Sequence, residues 1–144
     1  MTFGLVADTS FLFKLAFSNP HAEEAEKVCE KYNLFAPAFI QVELSNALWK
    51  AVRFGGLAAA QAHAALEQLA TLYRPVPDDD LVTNALEIAM AIGHPVYDCM
   101  FITLASDMAV PLITADRKLI SAVSASHVEL ACYDIASLPE GVLN

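Results

Sequence analysis

Residues 3–17 read FGLVADTSFLFKLAF. An apolar run ends on one carboxylate, Asp8, and two small hydroxyl residues, Thr9 and Ser10, lead into a second apolar segment. The first piece, FGLVAD, predicts a short buried strand, and SFLFKLAF predicts a helix with Ser10 as its N-cap. With Ser10 in the cap, Asp8 is left free at the strand's end. A strand that is a continuous apolar run is covered on both faces, which is the condition of a parallel sheet between helices. The same grammar returns at residues 110–124, where VPLITAD ends on Asp116 and RKLISAVS follows as a short helix.

The rest of the chain fits between and after these two units. PHAEEAEKVCEKYN predicts a helix with Pro20 in its first turn and an acidic front end. LFAP is a brief strand, AFIQVELSNALWKAVRFGG a helix stopped by Gly55 and Gly56, LAAAQAHAALEQLATLY a helix and RPVP a strand. DDDLVTNALEIAMAIG and VYDCMFITLASDM predict two more helices, and HVELACYD a last strand. Strands alternating with amphipathic helices predict an α/β fold, a three-layer α/β/α arrangement around a central, mainly parallel sheet of about five strands. At 144 residues the chain is expected to be one domain, residues 1–144. Ligands of such sheets sit beyond the carboxyl ends of the strands, so Asp8 and Asp116 are placed to share one crevice.

Composition narrows the function. Hydrophobic residues make up 56% of the chain, high for a monomer, so a second copy or a partner protein is expected to cover part of the surface. No window reads as a membrane span, and the N-terminus lacks the basic start of a signal peptide. The three cysteines, Cys29, Cys99 and Cys132, form no CxxC pair and read as free thiols of a reducing cytoplasm. The net charge of −9 excludes a protein that coats nucleic acid through a broad basic field. An enzyme that grips a phosphodiester at one point through bound cations is still allowed.

Four acids carry the chemistry. Asp8 and Asp116 close strands, where capping alone would also explain an aspartate. Glu43 stands between Val42 and Leu44 on an apolar helix, with Asn46, Lys50 and Arg53 on the same face at i+3, i+7 and i+10. Asp98 opens a helix that is apolar nearly all round, so it is expected to be drawn inward, where a carboxylate needs a partner. Carboxylates gathered in one cleft repel each other, and a divalent cation removes that cost. Mg²⁺ or Mn²⁺ prefers such oxygen ligands, and the chemistry that follows is attack of an activated water on a phosphodiester.

Four motifs, VADTSFLFKL, QVELSNAL, VYDCMFITLA and LITADRKL, occur in the order and element context of the PIN-domain nucleases. The chain resembles that family, and within it the VapC-type toxins of toxin–antitoxin modules. The resemblance assigns the acidic quartet to Asp8, Glu43, Asp98 and Asp116 as catalytic residues and ligands of one or two Mg²⁺ or Mn²⁺ ions. It implies a divalent-metal endoribonuclease acting on single-stranded or looped RNA. Thr9, Ser10 and Thr114 would support the metal site or phosphate, and Asn46 would brace Glu43. It also implies a homodimer and a small VapB-like antitoxin that blocks the site.

Five of the eight basic residues, Lys14, Lys50, Arg53, Arg117 and Lys118, lie near a quartet acid in sequence and form a candidate cationic rim for the RNA backbone. Asp78, Asp79 and Asp80 read as a helix start, and Asp107 as a surface acid about 13 Å along its helix from Asp98. The four histidines show no metal-ligand spacing, and His94 reads as a loop residue. Trp49 and Tyr97 could stack on a base, with core or interface packing the plainer assignment. A phosphoryl-accepting receiver is disfavoured because Asp8 has no acidic neighbour. A nuclease outside a toxin–antitoxin pair, or a PIN-like module without catalysis, is the competing reading.

Overall fold

The computed structural model describes residues 3–144. Five strands form one sheet: β1 (Phe3–Ala7), β2 (Tyr32–Pro37), β3 (Tyr73–Val76), β4 (Leu112–Thr114) and β5 (Cys132–Asp134). Their order is β3-β2-β1-β4-β5, and every pairing is parallel. The helices between them are α1 (Thr9–Ala16), α2 (Ala22–Lys31), α3 (Ile40–Gly55), α4 (Ala59–Ala70), α5 (Val82–Ile92), α6 (Val96–Met108) and α7 (Arg117–Ala125).

The central strands need cover on both faces because consecutive residues are buried. Leu5, Val6 and Ala7 of β1 and Leu112, Ile113 and Thr114 of β4 are all inaccessible to solvent. The chain steps outward from β1 to β2 and β3. Helices α5 and α6 then carry it back across β1 to β4. Right-handed crossovers therefore set α1–α4 on one face and α5–α7 on the other. Helix α6 packs on β1, β2 and β4 with α5 beside it, which explains its apolar circumference: Cys99 through Ala105 are buried without a break. Truncating Phe101 in that run to Ala would cost about 3–5 kcal/mol.

The direction of strand progression reverses between β1 and β4. A crevice opens beyond the carboxyl ends of two such strands, because the loops that follow them diverge to opposite faces. Asp8 follows β1 and Asp116 follows β4 by two residues, so both acids stand at this switch point.

Several element boundaries differ from those read off the sequence. Tyr32 and Asn33 belong to β2 rather than to the preceding helix, because they pair with Phe3 and Gly4 of β1. Pro20 lies outside α2. The Asn19 side chain bonds Lys14 O, Phe17 O and the His21 N–H, and this knot delays the helix to Ala22. Asp78–Asp80 form a separate 3₁₀ turn before α5, and Asp78 Oδ1 accepts the Phe39 N–H at the entrance to α3. Among the described residues no single helix is long and apolar enough to cross a membrane.

Candidate active site

Asp8 is buried, at 6% exposure, and its carboxylate is the most heavily bonded of the four acids. Oδ1 accepts the Phe11 N–H at 2.9 Å, which makes Asp8 the N-cap of α1. This overturns the expectation that Ser10 caps that helix. The reason is the end of β1: the Asp8 N–H still bonds Ile113 O of β4, so the helix can start at Thr9. Ser10 lies inside the helix, and its Oγ is 2.9 Å from both Asp8 oxygens. Thr114 Oγ1, wholly buried on β4, donates to Asp8 Oδ2 at 2.6 Å.

The same two hydroxyls lock the β4 exit. Thr114 Oγ1 accepts the Asp116 N–H, and Ser10 Oγ accepts the Ala115 N–H, each at 2.9 Å. The ends of β1 and β4 are thus tied through side chains as well as backbone. Asp116 Oδ1 caps α7 by accepting the Lys118 N–H.

Glu43 reaches the crevice from the first turn of α3, half-buried, and Oε1 accepts from Thr9 Oγ1 at 2.7 Å. No hydrogen bond joins Asn46 to Glu43 among the described residues; Asn46 is exposed on the next turn. The brace expected of Asn46 is supplied by Thr9, one residue beyond Asp8. Asp98 stands in the first turn of α6, and its Oδ2 lies 2.6 Å from His94 Nε2. His94 lies in a loop, as its sequence context predicts, and Asp98 is the partner that context does not name. Its position four residues before Asp98 was the available signal, masked by Pro95 between them.

Asp8, Glu43, Asp98 and Asp116 all line one open cleft of about 420 Å³, with Thr9, Ser10 and Lys14. Burial pushes the Asp8 carboxyl up to about 7; its three hydrogen-bond donors pull the other way, and nearby Asp116 adds to the rise. Burial also raises Glu43, opposed by Thr9 and reinforced by Asp98. The cleft therefore holds two mutually repelling pairs, Asp8 with Asp116 and Glu43 with Asp98. Among the described residues no Lys or Arg makes an ion pair with any of them.

Carboxylate oxygens without a Lys or Arg partner are the set that suits a hard divalent cation. No three acidic, histidine or cysteine side chains among the described residues already converge on one ion position. Each acid spends an oxygen on the protein, and Glu43 Oε2, Asp98 Oδ1 and Asp116 Oδ2 take no hydrogen bond among the described residues. These three atoms are free of protein hydrogen bonds to hold a metal, and Asp8, whose two oxygens are both bonded, lines the same cleft.

The basic residues divide. Lys14 lines the cleft and Lys50 lines the groove beside it. Arg53 lies over the Phe54 ring, and Arg117 and Lys118 are exposed at the start of α7; none of these three lines either depression. Asp107 is exposed on α6 away from the cleft. Tyr97 is not a core residue: it is 65% exposed and lines the neighbouring groove. The three thiols are free, and burial pushes Cys29, Cys99 and Cys132 up to about 11, 11 and 12, which keeps them protonated and unreactive.

Residues 5–124 match the PIN domain family model. Ribonuclease VapC3 of Pyrobaculum aerophilum is 29% identical over 119 residues, covering 80% of this chain and 91% of that protein. The crystal structure of PAE2754 from Pyrobaculum aerophilum superposes with a TM-score of 0.72 at 24% identity, over 93% of this chain and 85% of the other. VapBC2 from Rickettsia felis, bound to a DNA fragment from its promoter, superposes with a TM-score of 0.67 at 11% identity, over 92% and 98% of the two chains.

Proposed function

The chain belongs to the PIN domain family, and on that premise we propose that it is a divalent-metal-dependent endoribonuclease, the VapC-like toxin of a toxin–antitoxin pair. The observation that carries this reading is the cleft itself. Four carboxylates, delivered by β1, α3, α6 and β4, line one cleft at the switch point of the sheet with no Lys or Arg paired to them, and His94 at Asp98 is the one basic side chain in contact among the described residues. A cluster of this kind is costly unless its use is to bind cations. The name of the Pyrobaculum relative, Ribonuclease VapC3, supports the ribonuclease class.

In this proposal Glu43, Asp98 and Asp116 hold one or two Mg²⁺ or Mn²⁺ ions, with Asp8 as the buried fourth acid. When bound, such a cation supplies Lewis acidity to water and to the phosphodiester oxygens. The protein's own part is positioning. Thr114 and Ser10 fix the Asp8 carboxylate, Thr9 fixes Glu43 and His94 fixes Asp98. Lys14 lies in the cleft wall to meet a phosphate, which an acidic chain would otherwise repel.

The proposal extends to partners. Val82, Leu86 and Met90 form an exposed apolar line along α5, and Trp49 and Phe54 lie exposed on α3. Such surface suits a second copy and a small VapB-like antitoxin. Both partners and the free thiols fit a cytoplasmic setting.

The direct test is incubation of the purified protein with single-stranded RNA and Mn²⁺. Cleavage that stops with chelator, and that is lost in Asp98→Asn and Asp116→Asn proteins of unchanged fold, is the expected result. Retained cleavage in either variant would overturn the assignment.

A further inference from the structure

Next to the acidic cleft runs a second groove, about 460 Å³, whose walls include Thr9, Phe39, Glu43, Asn46, Lys50 and Tyr97. Thr9 and Glu43 also line the cleft, so the two depressions share a wall. Tyr97 precedes Asp98 on the first turn of α6, and its ring is largely exposed. The ring is nonetheless backed by the core. Its centroid lies 6.3 Å from that of Phe39, and Phe39 lies 5.5 Å from the buried Phe101. An aromatic ring held outward on a packed base offers a flat face at little entropic cost.

We propose that this groove is a nucleobase subsite. The base flanking the phosphate in the cleft stacks on Tyr97, the Asn46 amide meets its edge, and Lys50 lies beside the next phosphate. Three features favour a nucleotide over a peptide side chain. The groove leads directly out of the site where the phosphodiester must lie. The amide carries both donors and an acceptor, which suits any base edge. The cation sits one helical turn beyond Asn46, where a continuing backbone would pass. Stacking is tolerant of base identity, so the subsite selects unpaired nucleotides rather than a sequence. The nature of the ligand rests on the ribonuclease reading above.

The experiment uses the full chain and two labelled tetraribonucleotides, one intact and one lacking a single internal base. Binding is followed by fluorescence anisotropy in Ca²⁺ for the wild type, Tyr97→Ala and Tyr97→Phe. Tyr97→Ala is expected to bind the intact probe roughly tenfold more weakly, while Tyr97→Phe stays close to the wild type. The wild type is expected to prefer the intact probe, and the abasic probe to bind wild type and Tyr97→Ala alike. The subsite is overturned if Tyr97→Ala binds the intact probe as the wild type does, as a groove built for an inhibitor peptide would allow. Equal losses on both probes, or no wild-type preference for the intact one, overturn it too. A parallel Mn²⁺ cleavage assay keeps the two proposals apart. Base-dependent binding without cleavage removes the ribonuclease reading and leaves the subsite; cleavage with binding indifferent to Tyr97 does the reverse.

Discussion

His94 Nε2 and Asp98 Oδ2 are 2.6 Å apart across the junction between a loop and the first turn of α6. The imidazole occupies one oxygen of Asp98 and so decides where the other points. Partners of this kind, one step removed from a metal, are worth roughly 10–100-fold in metal affinity or activity. His94→Ala is expected to raise the Mn²⁺ concentration for half-maximal cleavage about tenfold without unfolding the protein. His94→Gln, which can carry a donor to a similar point, should recover much of the loss. An unchanged Mn²⁺ titration in His94→Ala would show that Asp98 orients itself.

Thr9 does for Glu43 what His94 does for Asp98, through a hydroxyl 2.7 Å away. Hydrogen bonds to charged groups contribute about 1.5–3 kcal/mol when buried, and less at this half-exposed position. Burial raises the Glu43 pKa, and removing the hydroxyl takes away the hydrogen bond that offsets part of that rise. Thr9→Ala should reduce cleavage about tenfold and Thr9→Ser should not. Steady-state rates on one RNA substrate, with thermal unfolding as a control for the fold, decide it.

The central strands β1 and β4 are legible because burial on both faces leaves a continuous apolar run, and a carboxylate just beyond such a run is conspicuous. What stayed hidden depends on pairing between distant segments. Asp8 and Ser10 are equally good caps in sequence; only the bond from the Asp8 N–H to Ile113 O settles which one sits at the helix start. Tyr32 and Asn33 carry no local mark that separates a helix end from a strand start, and their place in β2 comes from β1. Asn46 is nearer to Glu43 in sequence than Thr9 and shares its helix face, but its exposed amide makes no bond to Glu43 among the described residues, while the β1–α1 turn delivers the Thr9 hydroxyl to it.

Asp8 gives the site a pH signature in the metal-free protein. Its carboxyl titrates near pH 7 when folded and near 3.8 otherwise, chiefly because burial disfavours the charge. The folded chain therefore binds more protons than the unfolded chain between these values. Stability is highest below about pH 4 as far as this group is concerned, falls as pH rises through about 7, and is level above it. The change is on the order of a few kcal/mol. Asp8→Asn should flatten the slope and be more stable than wild type above pH 7 in chelator, since Thr114 can accept from the new amide. Urea unfolding at several pH values checks this; wild-type stability that rises from pH 5 to 7.5 relative to Asp8→Asn would contradict it.

The placement of the cations predicts an unequal dependence on salt. Lys14 and Lys50 line the cleft and its neighbouring groove, whereas Arg117 and Lys118 project from the start of α7 outside both. Each phosphate neutralised by a side chain contributes about 0.7 to the slope of log affinity against log salt on single strands. Lys14→Gln and Lys50→Gln are each expected to lower that slope by roughly this amount and to weaken binding similarly across RNA sequences. The paired change Arg117→Gln and Lys118→Gln should have the smaller effect, because no wall of the site brings those side chains against a bound strand. The measurement is RNA binding over a series of salt concentrations in Ca²⁺. If the α7 pair carries the larger slope, the strand leaves the cleft past Asp116 instead of along α3, and the path drawn through Tyr97 fails with it.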